Sequence, residues 1–209
     1  AIYAALRRMR LPAIRDLPAL AFLGFTGFSL YHTALNYGEV TVPAGVASLL
    51  IASAPMFTAL LAVLFFGERL TAWGWMGIGI SFAGVALIAM GESEGFRFSP
   101  GALLIVLAAV STSIYNVFQK PLLKRYSALQ FTTSAIWIGT LFMLIFLPGL
   151  PRAVAEAPLS TTLAVIYLGV LPAALCYVTW TYVLARMPAS IAGSFIYLVP
   201  ILATLIAWV

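Results

Sequence analysis

Of 209 residues, 63% are hydrophobic and only 8% are charged, with a mean hydropathy of +1.07. A soluble domain carries roughly 25% charged residues, so a water-soluble globule is excluded and the chain reads as a polytopic membrane protein. The formal charge of +5 raises the question of anionic partners, but the placement of the basic residues answers it as topology, and no nucleic-acid partner is expected.

A spanning helix needs roughly 20 apolar residues to cross a hydrocarbon core about 30 Å thick. Seven such runs follow one another, over 17–37, 43–66, 72–91, 99–120, 127–149, 160–184 and 188–209. They are continuous and rich in Leu and Ala, without the alternation of an outer-membrane barrel. The fold class is therefore all-α. Residues 1–6 read as the tail of an earlier helix and the last run reaches Val209 without a polar flank, so both ends read as cut. The single cysteine, Cys176, forms no intrachain disulfide.

Loops on alternate sides carry unequal charge. Arg7, Arg8, Arg10, Arg15, Arg69, Lys120, Lys124, Arg125 and Arg186 fall on one side, and Arg97 and Arg152 on the other. The positive-inside rule puts the richer side, with residues 1–16, in the cytoplasm.

The chain also repeats itself. Shifted by 145 residues, "LGFTGFSLYHTALNYGEVTVPAGVASLLIASAPMFTALLAVL" (23–64) falls without a gap on "LGVLPAALCYVTWTYVLARMPASIAGSFIYLVPILATLIAWV" (168–209), with 11 of 42 positions identical. Gly24/Gly169, Tyr37/Tyr182, Pro43/Pro188 and Pro55/Pro200 are among them. The second copy begins five helices after the first, an odd number, so it runs through the membrane in the opposite sense. Inverted repeats of this kind are a transporter signature. The same offset predicts five plus five helices in the whole protein, about seven of them in this chain. Residues 1–91 hold the end of the first repeat and 99–209 most of the second.

"ALNYGEVTVPAGVASLLIASAPMFTALLAVLFFGERLTAWGWMGIGISFAGVALI" resembles the EamA domain of the drug/metabolite transporter superfamily, and "YLVPILATLIAW" resembles its second copy. Within the superfamily the chain is most similar to the YddG-type bacterial amino-acid exporters. The resemblance implies ten helices with both termini cytoplasmic, in a bacterial inner membrane. It also implies a central cavity lined mainly by helices 1, 3, 4, 6, 8 and 9, and efflux of amino acids or related metabolites. Helices 1, 2 and 10 are the ones not seen in this chain.

The residues speak for the same chemistry. Asp16, Glu39, Glu68, Glu92, Glu94 and Glu156 all fall at helix ends or in loops, so no mid-membrane acid offers an ion relay. One His and one Cys make no metal site, and no cofactor motif or catalytic set is present. His32 and Asn36, at i and i+4, match Tyr177 and Thr181 in the second copy. They read either as pocket lining or as hydrogen bonds between helices, and for His32 a proton relay is a third reading. In "AAVSTSIYNVFQK", Thr112, Asn116 and Gln119 form one polar stripe, with Ser111 and Tyr115 beside it. In lipid these groups would be unsatisfied, so they face protein or a cavity. Trp180, Tyr177 and Tyr197 add aromatic surface suited to a small ligand.

Gly77, Ser81 and Gly84 read as a close-packing face, and Trp73, Trp75 and Tyr126 as an interfacial belt. Pro55 and Pro200, each inside an apolar run, read either as fixed kinks or as paired hinges. The reading these features favour is a non-enzymatic secondary transporter that exports small amphipathic metabolites, amino acids (neutral or aromatic ones included), by alternating access. Its partners are a small-molecule substrate and the lipid bilayer. An ion channel or facilitator, and less readily a membrane enzyme, are the alternatives; saturable counterflow separates them.

Overall fold

The structure is a computed structural model that describes residues 11–91 and 99–197, and these are helical, with no strand among them. Each apolar run becomes a helix. Helix α1 is built from Leu17–Gly24, a π-helical stretch Phe25–Leu30 and Tyr31–Glu39. Helix α2 has two halves, Ala44–Ile51 and Ala54–Phe66; α3 is Ala72–Gly91. Helix α4 is Pro100–Phe118, prolonged by the short Lys120–Leu123. Helix α5, Ala128–Met143, tightens into a 3-10 stretch Leu144–Gly149 and leads to α6, Leu150–Glu156. Helix α7 joins Leu159–Leu168, a π turn Gly169–Ala173 and Ala174–Leu184. Helix α8, Ala189–Ser194, passes into a 3-10 turn, Phe195–Tyr197.

By length and composition, Val46–Phe66, Pro100–Leu123 and Ala128–Glu156 are each long and apolar enough to cross a membrane. The run expected over 127–149 is extended by α6, and the last run continues beyond the described residues.

The local causes of these elements are legible. Pro43 and Pro188 stand immediately before α2 and α8 with nearly the same backbone, φ −57°, ψ 142° and φ −55°, ψ 141°. Proline is pre-organised for such a start and lacks only a donor the helix would leave free. Ser127 caps α5 through a capping box with Gln130. Gly67, at φ 64°, closes α2 in a left-handed turn, and the Glu68 N–H returns to the Ala62 carbonyl at 3.2 Å.

The boundaries also recur at the 145-residue offset. The break in α2 after Ile51 falls two residues beyond the position equivalent to Ser194, where α8 passes into its 3-10 turn. The π stretch of α1 overlaps that of α7, and the start at Ala44 matches that at Ala189.

Helix α4 is the axis of the packing. It contributes Tyr115 and Leu122 to an apolar cluster with α1 and α5, Ala102 and Ile105 to one with α2, and Val117 to one with α2, α7 and α8. Close approach is set by small residues. A Cβ on Gly24 of α1 would stand 2.8 Å from the Ala135 carbonyl and 2.9 Å from the Gly139 nitrogen of α5. One on Gly27 would collide with the Tyr115 ring. Among the described residues a Cβ at Gly77 or Gly84 meets nothing within 4 Å, and α3 packs mainly against α2. Trp73 and Trp75 are exposed, as a belt requires.

Because backbone rather than a movable side chain opposes the added methyl at Gly24, Gly24→Ala should destabilise the protein by about 1–3 kcal/mol. Gly77→Ala should leave the melting temperature in detergent unchanged or slightly raised.

Candidate functional site: a central cavity

Helices α1, α2, α4, α7 and α8 enclose a cavity of about 530 Å³. Its polar wall comes from α4, where Thr112 and Asn116 lie one turn apart beside Tyr115, and from Thr179 and Trp180 of α7. The Trp180 indole N–H donates to Asn116 Oδ1 at 2.8 Å, which fixes both side chains. Tyr115 is buried between Phe28 and Phe131, at ring-centroid distances of 5.4 and 5.9 Å. Its hydroxyl lies beside Thr181. No charged side chain is among the lining residues.

A second cavity of about 470 Å³ lies between α1, α5 and α7, with His32, Phe28 and Trp137 in its wall. Tyr177 borders both cavities and stacks on Phe28 at 4.7 Å.

The two copies furnish equivalent positions to these walls. Tyr31 and Cys176, and Ile51 and Ile196, are 145 residues apart and line the first cavity. Phe28 and Ala173, and His32 and Tyr177, are so related and line the second. Tyr31, Cys176 and Thr179 are lining residues that sequence reasoning missed. The signal for the first two was the repeat itself, read one position before His32.

Of the expected residues, Thr112, Tyr115, Asn116, Tyr177 and Trp180 meet at the first cavity and His32 at the second. The others stand elsewhere. Ser111 donates to the Thr26 carbonyl of α1 at 2.7 Å. Thr181 accepts from Thr132 of α5 at 2.9 Å. Asn36 is exposed and lines neither cavity. Gln119 is wholly buried beyond the first cavity. The side chain of Tyr197 and all of Pro200 lie outside the described residues.

Pro55 does not interrupt a continuous helix. Ala52 and Ser53 already break α2, the Ser53 hydroxyl donating to the Leu50 carbonyl at 2.6 Å, and Pro55 occupies the first turn of the second half. Ile51 and Ala54, on either side of the break, line the first cavity. Ser113 ties the Ala54 carbonyl to α4 at 2.8 Å.

A cluster of charge lies past one end of this cavity. Glu68, turned back by Gly67, accepts from Lys120 Nζ at 2.8 Å and from the Ala189 N–H at 3.1 Å. Its second oxygen accepts from the Ser190 hydroxyl at 2.5 Å and the Ser190 N–H at 3.3 Å. The carboxylate thus joins the ends of α2 and α4 to the start of α8. Asp16 likewise binds Arg125 and the Tyr126 hydroxyl, both at 2.7 Å, joining α1 to the segment after α4. Tyr126, read from sequence as a belt residue, is a hydrogen-bond partner here.

An all-helical body of apolar helices around a cavity with no charged residue in its lining fits a membrane carrier of small molecules. Comparison with known proteins agrees. The EamA-like transporter family is matched over residues 1–90 and again over 99–209. The uncharacterized transporter YdfC of Bacillus subtilis (strain 168) is 46% identical over 207 residues, covering 99% of this chain and 68% of that protein. The probable terminal-alkyne amino-acid exporter of Streptantibioticus cattleyicolor is 43% identical over 201 residues, covering 96% and 67%. A protein of known crystal structure superposes with a TM-score of 0.67 at 25% identity, over 98% of this chain and 71% of that one. The chain belongs to the EamA-like transporter family and is an integral membrane transporter.

Burial pushes the Glu68 carboxyl up, but its bonds from Lys120, Ser190 and the Ala189 and Ser190 N–H groups outweigh that and hold its pKa below the ordinary carboxylate value. A lowered folded-state pKa contributes stability at higher pH, which is lost as pH falls through it. Glu68→Gln should therefore melt below wild type in detergent at neutral pH. The gap should close as pH drops below about 4.

Proposed function

We propose that this protein is a secondary transporter exporting small amphipathic metabolites, amino acids with neutral or aromatic side chains foremost, by alternating access through the first cavity. The observation that carries this is the lining. At about 530 Å³ the cavity is of a size for a small ligand. Asn116, Thr112 and Thr179 offer neutral donors and acceptors, and Tyr31, Tyr115, Tyr177 and Trp180 offer aromatic surface. A net-neutral zwitterion with an apolar side chain suits such a wall; a bare ion would find no charged or carbonyl ring to replace its water. The exporter among the relatives supports the same substrate class. In this reading His32 borders the approach, and Asn36, Ser111, Gln119, Thr181 and Tyr197 complete or support the path.

The two family segments, the recurring element boundaries and the paired lining positions support two repeats, 1–91 and 99–209. Inversion between them follows from the odd helix count. Family membership supports a bacterial inner membrane, and the nine-to-two split of basic residues supports residues 1–16 on its cytoplasmic side.

Cys176 is the single cysteine, exposed, and in the cavity wall, so the native protein carries its own reporter. In liposomes, radiolabelled L-phenylalanine, L-leucine and L-threonine should show saturable, stereoselective counterflow, and the transported ones should slow maleimide labelling of Cys176. Ion conductance with neither effect would overturn the reading.

Pro55 and Pro200 act in this proposal as pseudo-symmetric hinges, since the break ahead of Pro55 borders the cavity and rocking repeats need bending points. Pro55→Ala should give folded protein that still protects Cys176 but transports at least several-fold more slowly. Wild-type rates would make the break fixed architecture.

A further inference from the structure

Past the first cavity, on the side of the Glu68 cluster, the next turn of α2 and of α4 is built unlike the rest of the interior. On α2, Ala54 lines the cavity and Thr58 follows one turn on; on α4, Asn116 lines it and Gln119 follows one turn on. Both are buried, Thr58 at 1% and Gln119 at 0% exposure. The Thr58 hydroxyl and both polar atoms of the Gln119 amide have no hydrogen-bond partner. Each such group costs about 1–3 kcal/mol of lost hydration, so two at one level are a conspicuous defect for a packed interface. Around them the packing is small and apolar, with Ala62, Val117 and Ala192 wholly buried. The next groups outward are Glu68 at the end of α2, Lys120 beside Gln119, and Ser190 at the start of α8.

We propose that this turn is the closed cytoplasmic gate of the transport path. Glu68 is its latch, and Gln119 is a substrate-binding residue of the opposite, cytoplasm-open state. The inference rests on the alternating-access reading above. When the three helix ends held by Glu68 part, the stripe Thr112–Asn116–Gln119 becomes a continuous polar wall from the cavity to the cytoplasm. The Gln119 amide then meets the donors and acceptors it lacks here, those of water and of a zwitterionic ligand. A packing role for Gln119 predicts nothing of the kind, because an amide that makes no bond holds nothing together.

The substitution Gln119→Leu separates the two. It removes a buried unpartnered group at similar size, so the melting temperature in detergent should hold or rise, while counterflow of L-phenylalanine, L-leucine or L-threonine should fall at least tenfold. Wild-type transport by this variant would overturn the proposal. A second measurement needs no substrate. In the intact protein carrying Cys176→Ser, the thiol introduced by Gln119→Cys should react slowly with a membrane-impermeant maleimide in inside-out vesicles. Adding Glu68→Gln or Lys120→Met should speed that reaction at least tenfold. The thiol introduced instead by Ser113→Cys, on α4 but at a position bonded toward α2, should not change in step. If the thiol at position 119 ignores loss of the latch, or the one at position 113 accelerates equally, the gate is wrong. If instead no amino acid moves in wild type while the thiol at position 119 responds as stated, the substrate class fails and the gate stands.

Discussion

The structure depends on one constraint: in a membrane interior every polar atom needs a partner inside the protein or in a water-filled space. Helix α4 meets it hardest, because it carries Ser111, Thr112, Ser113, Tyr115, Asn116 and Gln119 within apolar surroundings. Ser111 and Ser113 face in different directions and each finds a backbone carbonyl, that of Thr26 on α1 and that of Ala54 on α2. Thr26 lies in the π stretch of α1, where the helical ladder is out of its regular register, and Ala54 opens the second half of α2 just after its break. Irregular backbone in two helices and hydroxyls on a third are therefore one arrangement, and it fixes the rotation of α4 so that Thr112 and Asn116 turn to the cavity.

The cavity follows from that rotation. Asn116 could have been a second packing contact, but its carbonyl oxygen takes the Trp180 indole N–H, which leaves its amide nitrogen and the indole face for the open space. Tyr115, next to it, is seated by Gly27, whose missing side chain makes room for the ring. A glycine in one helix and a tryptophan in another thus aim two neighbouring residues of α4. The wall is pre-organised by packing rather than by charge, in keeping with the net-neutral cargo proposed for it.

Much of this was legible in the sequence. Hydropathy located the helices because the bilayer fixes their length, and the 145-residue offset paired His32 with Tyr177 before either had a place in space. Thr112, Asn116, Tyr115 and Trp180 could be chosen because polar and aromatic groups in a spanning run must face something other than lipid. Ser111 and Thr181 obey the same rule and yet stand in seams, since the rule cannot tell a carbonyl from a cavity; that depends on a π turn no side-chain pattern announces. The break at Ala52–Ser53 was hidden behind Pro55. Its cause includes the Ser53 hydroxyl competing for the Leu50 carbonyl. The α3 glycines show that small residues permit close approach only where a second helix arrives, and among the described residues none comes within 4 Å of Gly77 or Gly84. Glu68 looked like an ordinary loop acid, since its partners come from segments 52 and 122 residues away.

The two kinds of polar group in this protein have opposite fates, and the contrast bears on how a carrier of this design moves. Where a group serves to hold helices together, its bond is short and complete: Ser29 to the Gly139 carbonyl at 2.6 Å, Thr132 to Thr181 at 2.9 Å, Glu68 with four donors. Such contacts favour a single arrangement. Groups left incomplete are found past the cavity, at the Thr58 hydroxyl and the Gln119 amide. A site fully satisfied when empty would have to break bonds to bind its ligand, whereas one that is under-satisfied gains by binding and by opening. Under the alternating-access proposal, strong bonds at the rim and absent ones along the path are what two states of comparable free energy would call for. A machine that must alternate requires that balance, and no uniformly well-bonded bundle would supply it.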